Sequence, residues 1–151
     1  MNLDVITVWL HYLSIMAFFA ALVGEHLLLR PAMTPAEIRR IAFVDSICGA
    51  AFIGAVLTGS MKLLKFGKGA EFYLHAWQFH VKLALVLLVF LVSIYPTVVF
   101  LKYRRRTKGM DERETLTMPP GLKHGIRLEL FLVALIPLFA AAMTRMNGVF
   151  E

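Results

Sequence analysis

The chain has 151 residues, 59% of them hydrophobic and 17% charged, with a formal net charge of +6 at pH 7. Its mean hydropathy of +0.71 excludes disorder and exceeds what a soluble domain of this size carries. With Cys48 as the sole cysteine, no internal disulfide, Cys-rich zinc site, iron–sulfur cluster or covalent c-type haem attachment can be built.

A helix that crosses a bilayer needs roughly 20 mainly apolar residues, and four stretches satisfy that length. The first, about 4–29, is apolar apart from His11, Glu25 and His26. It has no basic residue before Arg30 and is longer than a signal-peptide core, so it is expected to remain as a membrane helix. The second, about 41–62, is interrupted near its start by Asp45 and carries Ala50, Gly54 and Thr58 at four-residue spacing, with Ala51, Ala55 and Gly59 beside them. Small residues at that spacing let helix backbones approach closely in lipid. The third, about 77–101, contains His80 and Lys82, and the fourth, about 124–145, contains Arg127 and Glu129 near its start. Pro96 and Pro137 fall inside the last two and are expected to kink them. The fold class is therefore all-α: one transmembrane domain spanning residues 1–151, built as a four-helix bundle.

The basic residues are unevenly placed. Arg30, Arg39 and Arg40 lie in the first loop, and Lys102, Arg104, Arg105, Arg106, Lys108, Arg113 and Lys123 lie in the third, with Arg127 at its edge. The opposite side holds only Lys62, Lys65, Lys68 and Arg145. By the positive-inside rule loops one and three are cytoplasmic and both termini face the periplasm, as in a multi-pass protein of a bacterial inner membrane. The natural partner of this charge is the bilayer itself, with anionic headgroups at the cytoplasmic face, and nucleic acid is not required.

Ionisable residues inside spans are candidate sites because each is costly to place there. At the periplasmic end stand His11, His75, His80 and Lys82, with Trp9 and Trp77 nearby and Phe72, Tyr73 and Phe79 as an aromatic belt. If the first and third spans are neighbours, His11 and either Lys82 or His80 reach one cavity. A neutral imidazole there is a good axial ligand for non-covalent haem iron, and the lysine a partner for a propionate. The run 65–69 is Gly-rich but lacks the phosphate-loop spacing and is read as a turn. At the cytoplasmic end stand Glu25, His26, Asp45, Arg127 and Glu129. They read as an ion-pair cluster centred on Arg127, as a proton or cation relay, or as a weakly signalled metal site. No nucleophile–base pair, nucleotide fingerprint or protease motif is present.

The run 66–74, with Phe79, Lys82, Ser93-Ile-Tyr-Pro-Thr97, the segment 25–30 and Arg127-Leu-Glu-Leu130, resembles a family of small bacterial four-helix membrane proteins known as a domain of unknown function. A fainter likeness, carried by Trp9-Leu-His11 and by the run from Trp77 through His80 to Lys82, is to the HemJ family of protoporphyrinogen oxidases, four-helix membrane proteins that bind b-type haem. That resemblance implies haem b held at His11, with Lys82 or His80 completing the site, in a protein with redox or porphyrin-linked chemistry. A membrane redox partner or a homo-oligomer would accompany it. The alternatives are a proton, ion or small-solute transporter working through the cytoplasmic carboxylates, expected to be oligomeric, and a non-catalytic membrane subunit or assembly factor.

Overall fold

The computed structural model describes residues 2–66 and 77–146. Four long helices make up nearly all of it: α1 (Leu3–Leu28), α2 (Pro35–Met61), α3 (Trp77–Arg106) and α4 (Pro120–Met146). All four are long and apolar enough to cross a membrane, and only 17–22% of the most apolar window of each is buried inside the bundle. Water would not tolerate so much uncovered apolar helix, whereas lipid is its natural solvent. Expectations for His75, Phe72, Tyr73 and the turn at 67–69 fall outside the described residues.

The helices extend past the apolar runs that define the spans, chiefly at the basic end. Hydropathy marks what must sit in hydrocarbon, while helix ends are set by caps. Thr34 begins α2 with a capping box: its hydroxyl accepts from the Glu37 backbone N–H, and the Glu37 carboxylate accepts from the Thr34 N–H at 2.9 Å. Pro35 follows at the first helical position, where its missing N–H costs nothing. At the other boundary, α3 runs on to Arg104, Arg105 and Arg106, whose charges complement the carbonyl end of the helix. Both α3 and α4 are continuous through Pro96 and Pro137.

The helices are arranged as a ring of two tight hairpins. α1 packs along α2 and α3 along α4, with lesser contacts between α2 and α3 and between α1 and α4. α1 and α3 are therefore diagonal, so the adjacency on which a shared cavity of His11 with Lys82 or His80 was conditional is not found. Small residues bring α1 and α2 together as the spacing predicts. A Cβ on Gly54 would lie 2.9 Å from the Ser14 hydroxyl, and one on Gly59 3.1 Å from the His11 ring. Between α3 and α4, the Tyr95 ring lies over Gly121 and Gly125. Phe18, Phe52 and Phe90 form a ring stack from α1 through α2 to α3, with centroids 5.4 and 5.9 Å apart.

The basic end is where the hairpins are locked. Strand β1 (Ala32–Met33) in the first loop pairs antiparallel with β2 (Leu116–Thr117) in the third, Ala32 opposite Thr117. The Met118 N–H donates to the Pro31 carbonyl at 2.8 Å, and Arg39 bridges to Glu112 at 2.5 Å. Leu29, Met33, Met118, Ile38, Leu122 and Phe100 are buried beneath this strap. Loops one and three thus share one face of the bundle. Cysteines at Ala32 and Thr117 are expected to form a disulfide on mild oxidation, since paired strand residues meet within the reach of one. After proteolytic cleavage in the third loop the fragments should stay joined until reduced; fragments that separate without reductant would show that the two loops are not paired.

Candidate functional site

The core-facing stripes of α1, α2 and α4 are each interrupted by a carboxylate. On α1 the buried positions are Thr7, Phe18, Ala21, Leu22 and Glu25; on α2 they are Pro35, Ile38, Ile41, Ala42, Asp45 and Cys48. On α4 they include Leu122, Ile126, Glu129 and Val133. These are the three- and four-residue steps of one helix face, so each carboxylate occupies a position meant for an apolar side chain. Glu25 and Glu129 are 1% exposed and Asp45 8%. The remaining helix, α3, answers with hydroxyls one turn apart: Ser93 donates to Glu129 Oε1, and Thr97 donates to Asp45 Oδ1 at 2.8 Å. Pro96, buried between them in the chain, has no N–H to offer the Val92 carbonyl.

The level is consistent from helix to helix. Asp45, Thr97 and Glu129 lie about 13–15 Å inside the basic ends of α2, α3 and α4 at 1.5 Å per residue. Glu25 is only about 5 Å from the end of α1, which stops short.

Glu25 is the least satisfied member. Its Oε1 is buried with no hydrogen-bond partner, the Asp45 and Glu129 carboxyls are within electrostatic reach of it, and the Cys48 thiol lies beside it. That thiol also donates to the Phe18 carbonyl at 3.9 Å. Arg127 was expected to be the buried partner of these acids, and the structure places it elsewhere. It is exposed, on the opposite side of α4 from Glu129, and forms neither of the two ion pairs among the described residues. Two positions along a helix amount to a turn of about 200°, so Arg127 and Glu129 cannot share a face. His26 buries its Nδ1 without a partner and is bonded to none of the three carboxylates. Among the described residues, no group of three or more His, Cys, Asp and Glu is placed to hold a metal ion. The sequence reading missed Ser93, Thr97 and Cys48 as its companions, although their positions on the core stripes could have revealed them.

At the other end, His11 lies against α2. Its Nδ1 is 3.0 Å from both the Ala55 carbonyl and the Thr58 hydroxyl. The charges of Lys62 and Lys82 both reach the ring, and Lys62 stands over Tyr12, 5.4 Å from its centroid. His80 is exposed, with Phe79 edge-on to its ring, so it does not join His11 in an interior site. Trp9 and Trp77 are also exposed, as belt residues are.

A family model described as Predicted membrane protein (DUF2214) matches residues 3–148. The chain belongs to this family. The match covers all four helices and both polar levels, and it carries the first of the two resemblances; the likeness to the HemJ enzymes gains no support from it. No curated protein and no solved structure matches the chain.

The two arrangements of charge on α4 predict opposite mutational outcomes. Ser93→Ala removes the donor to a buried carboxyl and is expected to cost about 1–3 kcal/mol in unfolding from mild detergent. Arg127→Gln, at an exposed position, should stay within about 0.5 kcal/mol of the parent. Equal destabilisation by the two changes would restore the ion-pair cluster and refute the placement described here.

Proposed function

We propose that this protein binds and passes protons through the carboxylates Glu25, Asp45 and Glu129, as a proton-linked membrane transporter or relay. The observation that carries the reading is that three helices each bury a carboxylate in the interior, and that neither ion pair among the described residues includes one of them. Hydrocarbon does not stabilise uncompensated charge, and acidic residues in spans characteristically mark proton pathways. The compensating positive charge must come from outside the side-chain set. Protons suit carboxyl groups held in the interior, where the protonated form carries no charge to solvate. Ser93 and Thr97 would hold Glu129 and Asp45 in fixed orientations, leaving Glu25, near the end of its own helix and with a bare oxygen, as the member that exchanges protons with the basic end. The charge asymmetry supports placing that end in the cytoplasm of a bacterial cell, with both termini periplasmic. Four helices are few for a pathway, which favours an assembly of several copies.

Two measurements test this. Infrared difference spectra should contain a protonated carboxyl band that responds to pH and disappears in Glu25→Gln. In proteoliposomes, an imposed pH gradient should collapse faster with the parent protein than with Glu25→Gln, Asp45→Asn or Glu129→Gln. Proton flux that survives all three substitutions would sink the proposal.

A second reading places b-type haem at the opposite end, and one observation favours it. With its Nδ1 donating to the Ala55 carbonyl, His11 keeps Nε2 as a lone-pair nitrogen, which is the arrangement found at metal-ligating histidines. His11 would hold the iron, and Lys62 and Lys82 would pair with propionates; bound haem would supply one-electron redox chemistry. His80, exposed, is dropped from that set. The purified protein should then give a reduced-minus-oxidised spectrum of b type that is lost in His11→Ala. A flat spectrum after growth with haem precursor, or one unchanged in the variant, would remove this reading.

A further inference from the structure

The third helix carries a feature that neither polar level uses. On one face of α3, Leu87, Leu91, Ile94, Val98 and Leu101 follow one another at steps of three and four residues, and all are between 43% and 59% exposed. Such spacing puts them in a single row along the helix. From Leu87 to Leu101 the row rises about 21 Å, somewhat more than the hydrocarbon thickness of one leaflet. It ends in an open surface depression lined by Val98, Leu101, Lys102, Arg105 and Arg106. Three cations and two apolar side chains line it, and no carboxylate does. Neither ion pair among the described residues includes these cations. The guanidinium of Arg106 lies 5.4 Å from the centroid of the Tyr103 ring, which directs it without neutralising it.

Basic residues at a helix C-terminus complement the helix dipole and help set topology. Those roles require charge alone. They do not require a hollow, nor a hollow that continues into an exposed apolar row. One class of molecule has the matching shape: phosphate oxygens at one end, to be met by guanidinium and ammonium groups, and acyl chains running from them into the bilayer. We propose that Lys102, Arg105 and Arg106 form the headgroup site of a specifically bound anionic phospholipid, whose acyl chain lies along the row from Leu101 to Leu87. This site is independent of the proton reading. It belongs to the outer surface of α3, whereas Ser93 and Thr97 bond to carboxylates in the bundle interior.

Native mass spectrometry on protein taken from vesicles of equal phosphatidylglycerol and phosphatidylcholine tests the assignment. The parent should retain phosphatidylglycerol preferentially. With about fivefold in binding per basic side chain near the membrane surface, the combined change Lys102→Gln, Arg105→Gln and Arg106→Gln should lower its retention about a hundredfold. Because losing three topogenic charges would disturb insertion, Arg105→Gln alone is measured as well, with an expected drop of about fivefold. Arg40→Gln, on the same side of the bundle but outside the depression, should leave retention unchanged. Equal retention of both lipids by the parent, full retention by the Arg105→Gln and triple variants, or displacement of the lipid by millimolar inorganic phosphate would each overturn the proposal. The last outcome would mark a soluble-anion site instead.

Discussion

Hydrocarbon offers no hydrogen-bond partner and little stabilisation of charge, and most features of this bundle follow from that constraint. The backbone meets it by remaining helical across the bilayer. Side-chain hydroxyls meet it by bonding backward along their own helices, as Thr7, Ser46, Thr58 and Ser60 do to carbonyls three or four residues earlier. The three buried carboxylates meet it only in part. Ser93 and Thr97 satisfy two of them, and Glu25 retains a bare oxygen. A bundle that needed only to hold together would be served better by leucine at these positions. That energetic contrast is why the carboxylates, and not the more numerous surface arginines, are the centre of the functional reading.

The construction of the bundle is polarised. At the basic end, a two-residue strand pair, an exposed ion pair and a layer of buried aliphatic side chains join the two hairpins. Toward the opposite end, the α1–α2 contact is maintained by Gly54, Gly59 and the bonds of His11, while buried side chains on α3 and α4 become scarce beyond Val89 and Val133. Local opening of loop elements such as the strand pair costs far less than opening a helix core.

The three levels of polar chemistry are also separated in space. Acidic groups without cations occupy the interior near the basic end, cations without acids occupy the lipid-facing end of α3, and a histidine with two lysines occupies the opposite end. Had Arg127 pointed inward, the first of these would be an ion-pair cluster and its function structural. Its place two residues from Glu129 sends it to the surface instead, where lipid headgroups and water solvate it.

The sequence by itself determined the class and the count of helices, because about 20 apolar residues in a row admit few other structures in lipid. It also determined the close approach of α1 and α2, since Gly54 and Gly59 leave no side chain in the way. The acids themselves were legible as costly residues in spans, and Glu25, Asp45 and Glu129 do meet. What partners them was not legible, because pairing depends on which helices are neighbours and which way each face turns. Sequence spacing treats Arg127 and Glu129 as near each other; helical geometry sets them on opposite sides. It likewise allowed His11 and His80 to meet, whereas the ring order puts their helices on a diagonal and leaves His80 exposed. Ser93 and Thr97 carry no charge and drew no attention as partners. Only the tertiary structure, by turning that face of α3 toward α2 and α4, made them the groups that hold the site.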